Sequence, residues 1–146
     1  MRLVLDTDVM VAAIRSDSGA SRRLVLAVLR RHATMLLSVP LAIEYQAVMS
    51  RREHLTASGL DAAELGTLLD ALAAVSEPVR LAFLGRPTLR DPDDDMVLET
   101  AMNGRADFLA TFNLRDFRPA AAQFGMVIGR PADALRALAG LTETRP

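Results

Sequence analysis

Leu3-Val4-Leu5-Asp6-Thr7-Asp8, running on into Val9-Met10-Val11, is the stretch on which the reading of this chain turns. Three apolar residues follow one another without alternation, the pattern of a short strand buried on both faces, and the run stops at an aspartate. Residues from Asp8 to about Ile14 then read as a helix, broken by Ser16, Asp17, Ser18 and Gly19. A buried strand that passes directly into a helix is the opening of a parallel α/β unit. In such sheets functional groups gather at the carboxyl ends of the strands, where Asp6 stands.

The alternation continues along the chain. Ser21 to His32 reads as a helix with Leu24, Val25, Val28 and Leu29 on one face, and Met35-Leu36-Leu37 as a second strand. Pro40 opens a helix to about Ser50, in the position its fixed backbone angle favours. A further helix spans about Asp61 to Ala74, with Asp61 as N-cap and Leu65, Leu68, Leu69 and Leu72 facing in. Val79 to Phe83 is expected as a strand, Asp91-Pro92 as the start of a helix reaching Asn103-Gly104, and Phe108-Leu109-Ala110 and Met126-Val127-Ile128 as two more strands. Pro131 opens a last helix to about Leu138. This pattern predicts one three-layer α/β/α domain over residues 1–140, with a central parallel sheet of about five strands, and a loose tail over 141–146.

The 146 residues carry no cysteine and only His32 and His54, which leaves oxygen as the donor type for any metal and points to magnesium or manganese over zinc. Net charge is −1, so bulk charge announces no nucleic-acid partner. All 17 basic residues are arginine, a side chain that matches phosphate in two-point contacts but also one that base composition of a genome favours. No leader segment is visible, and no apolar run approaches the ~20 residues that cross a bilayer, so a cytoplasmic protein without a membrane association is expected.

Four acidic islands stand next to apolar structure: Asp6, Glu44, the run Asp91 to Asp95, and Asp116. Carboxylates there are costly unless something positive meets them, and a shared divalent cation is the economical partner. Asp6 fits a helix N-cap and a metal ligand equally. Glu44 is aimed along the stripe of Leu41, Ala47 and Val48, which favours a ligand over an ion pair. Acidic residues also gather at helix starts, yet Asp94 shares a face with Val97, Leu98 and Ala101, whereas Asp95 lines up with Glu99 and is expected in solvent. Asp116, three residues beyond Asn113, reads as a loop carboxylate.

Taken together, Leu5-Asp6-Thr7-Asp8, Gly19-Ala20-Ser21-Arg22, Ser38-Val39-Pro40 with Glu44-Tyr45, Asp91-Pro92-Asp93-Asp94-Asp95 through Ala101, and Ala106-Asp107 through Thr111 with Asp116-Phe117 resemble the PIN-domain family, in particular its toxin branch in bacterial toxin–antitoxin pairs. The resemblance implies a magnesium- or manganese-dependent ribonuclease, often a homodimer, with RNA as substrate and an antitoxin protein as partner. It implies Asp6, Glu44 and Asp94 as the acidic catalytic and metal site with Thr111 beside it; Asp116 is the candidate for a fourth catalytic and metal-binding acid, and Thr7, Asp8, Asp91 and Asn113 are read as supporting residues. Two departures stand out: Asp8 where the family more often has Asn, and Asn113 at the usual fourth acidic position. Asp116 takes over that role only if Phe112 to Arg115 turns it back over the sheet edge, with Phe112 and Phe117 burying their rings and Asn113 bonded to a neighbouring carboxylate. The rival readings are a non-catalytic PIN-like module that binds RNA or protein, and an aspartate-dependent phosphatase. The phosphatase would also begin with a strand and Asp-x-Asp, but it would want a lysine that this chain lacks.

Overall fold

A computed structural model describes residues 1–82 and 92–144, with the side chains of residues 1–82 and 95–141. Within them, β1 (Arg2–Leu5), β2 (Thr34–Leu37), β3 (Glu77–Pro78), β4 (Phe108–Ala110) and β5 (Ile128–Gly129) form one sheet in the order β3-β2-β1-β4-β5. Every pairing is parallel, with Leu3 opposite Met35 on one side and opposite Phe108 on the other. Central strands of such a sheet are covered on both faces, and Leu3, Val4 and Leu5 are accordingly buried without remainder.

The strand order places the helices. Steps from β1 to β2 to β3 run one way across the sheet, while β4 and β5 lie on the opposite side, and right-handed crossovers then put the two sets of connections on opposite faces. α1 (Thr7–Arg15), α2 (Ala20–Leu29) and α5 (Ala62–Val75) pack together on one face, and α8 (Pro131–Thr144) returns to it against α2. α6 (Pro92–Asn103) and α7 (Leu114–Phe124) cover the other. α3 (Val39–Met49) touches α1 and α5 as well as α6, so it spans the carboxyl edge of the sheet, and the short α4 (Arg52–Ser58) packs on α1. The result is the three-layer α/β/α arrangement with a five-stranded parallel sheet.

Several boundaries depart from the sequence reading. α4 was not anticipated, because none of its residues is fully buried and its apolar pattern is faint. α7 was missed because Pro119 lies inside it; the proline sits on the exposed face, while Phe117, Ala120 and Ala121 supply the buried one. The third strand is Glu77–Pro78 and not Val79 to Phe83, since Arg2 Nη1 holds Glu77 Oε2 at 2.5 Å and a charged strand residue hides from a hydrophobicity reading. Phe83 itself lies outside the described residues. The last helix continues to Thr144, into the stretch expected as a loose tail. Asp61 does cap α5: it accepts from Glu64 N at 2.7 Å, and Glu64 reaches back to Asp61 N.

Candidate functional site

β1 delivers Asp6 to the carboxyl edge, where its residue ends the strand and caps α1 at once. Its Oδ1 accepts from Thr7 N at 2.7 Å and its Oδ2 from the hydroxyl of Thr111, also at 2.7 Å. With only 6% of its surface exposed, Asp6 is a buried carboxylate, and Thr7 N and the Thr111 hydroxyl each donate to one of its oxygens. Thr111 comes from the end of the neighbouring β4, and its hydroxyl accepts from Asn113 N at 2.8 Å while donating to Asp6. Thr7 therefore contributes through its backbone, whereas Thr111 contributes its side chain.

Asp8, in the first turn of α1, faces the same spot. Its Oδ2 accepts from Phe112 N at 3.3 Å, and its buried Oδ1 has no hydrogen-bond partner among the described residues. Burial and the adjacent Asp6 charge push its pKa up to about 7. Two carboxylates crowded in this way, one with an orphaned buried oxygen, make a donor set that a hard cation would satisfy. Tyr45 closes the floor of the site. Its hydroxyl donates to the carbonyl of Leu5, and burial together with Asp6 holds the phenol well above its usual pKa, so it stays a donor. That bond pins α3 on the end of β1. Glu44, half-buried beside Tyr45, thereby sits on the same helix turn as the contact to β1.

α6 runs antiparallel to the strands. Its far end meets Arg2, whose guanidinium donates to Gly104 O at 2.5 Å at the amino edge, so its first turn lies at the carboxyl edge with Asp6. Asp94 stands in that turn on the face that continues as Leu98 and Ala101, both buried; its side chain, like those of Asp91 and Asp93, lies outside the described residues. The expectation that Asp95 and Glu99 lie in solvent is overturned: they are 3% and 1% exposed. α6 is enclosed by β1, β2, α3 and α7, so its buried arc is wider than one apolar stripe. Asp95 is thus an interior acid near the site that hydrophobic pattern alone could not single out. Ser38 and Thr100 were missed as well. Their hydroxyls meet at 2.6 Å and tie the start of α3 to α6.

Asp116 is not a loop residue. It lies in the first turn of α7, and Asn113 Nδ2 donates to its Oδ2 at 2.9 Å. Phe117 is fully buried as expected, but Phe112 is not: 46% of its surface is exposed. Among the described residues no group of three or more His, Cys, Asp or Glu side chains is arranged to enclose a metal. What the described residues supply is the Asp6–Asp8 pair with its Thr111 support. The open volume elsewhere is no rival: a cavity of about 360 Å³ between Met102, Arg105 and Phe124 lies at the amino edge and its lining carries no carboxylate.

A parallel α/β/α sheet in this order, with acids gathered where β1 and β4 end, defines the class. A family model described as PIN domain matches residues 2–115, and the chain belongs to the PIN-domain family. The match ends one residue before Asp116. A crystal structure of VapBC2 from Rickettsia felis, bound to a DNA fragment from their promoter, aligns with a TM-score of 0.59 over 89% of this chain and 98% of that one. At 16% identity that likeness is one of fold. No curated protein gives a significant sequence match. Among the described residues no helix is long and apolar enough to cross a membrane.

Proposed function

We propose that this chain is a magnesium- or manganese-dependent ribonuclease that hydrolyses phosphodiester bonds, acting as the toxin of a toxin–antitoxin pair. The observation that carries the reading is the Asp6–Asp8 pair at the carboxyl edge, with the buried, unpartnered Oδ1 of Asp8 beside a carboxylate already fixed by Thr111. The donor set would be Asp6, Asp8, Glu44 and an acid from the first turn of α6, with Asp116 contributing through its contact to Asn113. Asp94 is the α6 donor that the sequence pattern favours, and burial makes Asp95 its competitor. A cation held there supplies a water of lowered pKa and relief of charge on the departing oxygen.

The chain's own residues do the positioning. Thr7 N and Thr111 Oγ1 each hold one oxygen of Asp6 and stop the carboxylate from rotating. Asn113 N, by donating to Thr111 Oγ1, commits that hydroxyl proton to Asp6. Asn113 Nδ2 orients Asp116 in the same manner. Tyr45 fixes the helix that carries Glu44. No side chain is needed as nucleophile, in keeping with the absence of cysteine and the scarcity of histidine.

The toxin assignment draws on the family, on the likeness of fold to the Rickettsia felis complex and on the sequence resemblance. An antitoxin protein as partner and a homodimer are part of the same proposal. The test is cleavage of a mixed RNA pool, expected with manganese or magnesium, stopped by EDTA and absent in Asp6→Asn, together with slower bacterial growth on expression of wild type than of Asp6→Asn. Metal-independent cleavage, or none with either cation, would refute it and leave a binding module.

A further inference from the structure

Ser38 and Thr100 are interior hydroxyls, 2% and 0% exposed, that the chemistry proposed above leaves unused. Ser38 follows β2 directly and caps α3, its Oγ accepting from Leu41 N at 3.3 Å. The Thr100 hydroxyl donates to Met96 O, one turn back along α6, at 2.8 Å. A hydroxyl has one proton, so in the 2.6 Å contact between the two side chains Ser38 donates and Thr100 accepts. The result is a one-way chain of hydrogen bonds from Leu41 N through Ser38 and Thr100 to Met96 O. Its ends lie beside acids assigned to the site. Leu41 is in the first turn of α3, three residues before Glu44, and Met96 directly follows Asp95 and stands two residues beyond Asp94. α3 and α6 pack on one another, and apolar packing alone tolerates small slides between helices that a directional bond of 2.6 Å does not.

We propose that Ser38 and Thr100 are a positioning pair that sets the span between the Glu44 turn of α3 and the first turn of α6, so that the site favours magnesium over calcium. This rests on the metal-dependent reading above and adds the means by which the ion is chosen. Magnesium demands near-octahedral oxygen ligands at about 2.0–2.1 Å, whereas calcium accepts six to eight at about 2.3–2.6 Å in flexible geometry. A span already fixed needs no rearrangement when the small ion binds, whereas a loose one must first be drawn in around it. Calcium, with longer bonds and adaptable coordination, loses little when the span relaxes. Both hydroxyls are engaged within the chain of bonds, and neither serves as a ligand.

Titration calorimetry on the folded protein, with magnesium and calcium in turn, tests this. Thr100→Val keeps the shape and removes the link. Magnesium should bind it about tenfold more weakly than wild type, as changes in the outer shell of a metal site do, with calcium within about twofold. Thr100→Ser should restore the wild-type ratio of the two affinities. If Thr100→Val does not fold, Ser38→Ala combined with Thr100→Val removes both hydroxyls together and is measured in its place. Val28→Ala, a core truncation in α2 on the opposite face of the sheet from α6, lowers stability by another route and should leave the ratio unchanged. Equal loss for the two ions, no loss for either, no recovery in Thr100→Ser, or the same change in Val28→Ala would overturn the inference and leave the ribonuclease reading intact. A wild-type protein that binds neither ion and cleaves no RNA would overturn both.

Discussion

The hydroxyl of Thr111 donates to the carboxylate of Asp6 at 2.7 Å across 105 residues of sequence, joining the ends of two adjacent parallel strands into one site. Both groups are buried, and Asn113 N closes the other side of the hydroxyl. Thr111→Val keeps the shape and removes two hydrogen bonds, the one donated to Asp6 and the one accepted from Asn113 N. A loss of about 1–3 kcal/mol in urea unfolding is expected. Manganese-dependent cleavage should fall at least tenfold, and Thr111→Ser should recover most of both. Unfolding at the wild-type midpoint would show that the bond contributes nothing.

Asp8 makes stability depend on pH in an unusual direction for an acid. Its folded pKa of about 7 lies above the 3.8 of an ordinary aspartate, so the folded state holds its proton more tightly than the unfolded state. Stability from this group is fully present below about pH 4 and is lost as pH rises through about 7. Thermal melts in EDTA should therefore show wild type losing ground to Asp8→Asn between about pH 4 and pH 7, by roughly the margin that two crowded carboxylates create. Manganese, by binding the ionised pair, should flatten that trend. Parallel pH profiles for the two proteins in EDTA would contradict it.

The acids of α6 separate by two single substitutions. Asp94→Asn should erase the rise in melting temperature that manganese gives, with little change in the metal-free protein. Asp95→Asn should weaken the metal-free fold by about 1–3 kcal/mol, because the substitution puts an NH2 donor in place of a carboxylate oxygen at a buried position. Loss of the manganese response in Asp95→Asn alone would move the donor role from Asp94 to Asp95.

Gly104 provides a control that touches the fold and not the site. A Cβ there would lie 2.8 Å from Leu36 Cδ1 and 2.9 Å from Val79 Cγ2, with Thr100 O at 3.0 Å. Gly104→Ala should cost about 1–3 kcal/mol of stability through overpacking, with the manganese affinity of the folded protein unaltered. Calorimetric titration at a temperature where the variant is folded measures the second part.

What was legible beforehand follows from which forces write themselves into sequence. Leu3-Val4-Leu5 and Phe108-Leu109-Ala110 announce strands because both faces are buried, and Asp61 announces a helix start because capping is local; the reciprocal bond from Glu64 is the structure's addition. β3 was displaced because its pairing with Leu36 and Leu37 and its ion pair with Arg2 are long-range. The acids at the ends of β1 and β4 were found as pattern breaks, an acid or polar group after an apolar run. The burial of Asp95 and Glu99 was not, because it depends on α3 and α7 closing around α6. Tyr45 packs in the core, and its hydroxyl contact to Leu5 exists only in three dimensions.

Asn113, at the N-cap of α7, stands where the family resemblance leads to the expectation of an acid. An added carboxylate at this position would ordinarily be expected to strengthen cation binding. The contact from Asn113 Nδ2 to Asp116 Oδ2 at 2.9 Å changes the argument, because Asn113→Asp replaces a donor by a second acceptor and sets two carboxylates against each other. The metal-free variant should be less stable than wild type at neutral pH. Manganese should bind it more tightly than wild type by severalfold, since the repulsion it relieves is larger. Asp116→Ala should shift affinity the other way by a similar factor. If titration calorimetry finds manganese affinity equal in Asn113→Asp, Asp116→Ala and wild type, the first turn of α7 lies outside the site, and the cation is held by the acids of β1, α1, α3 and α6 alone.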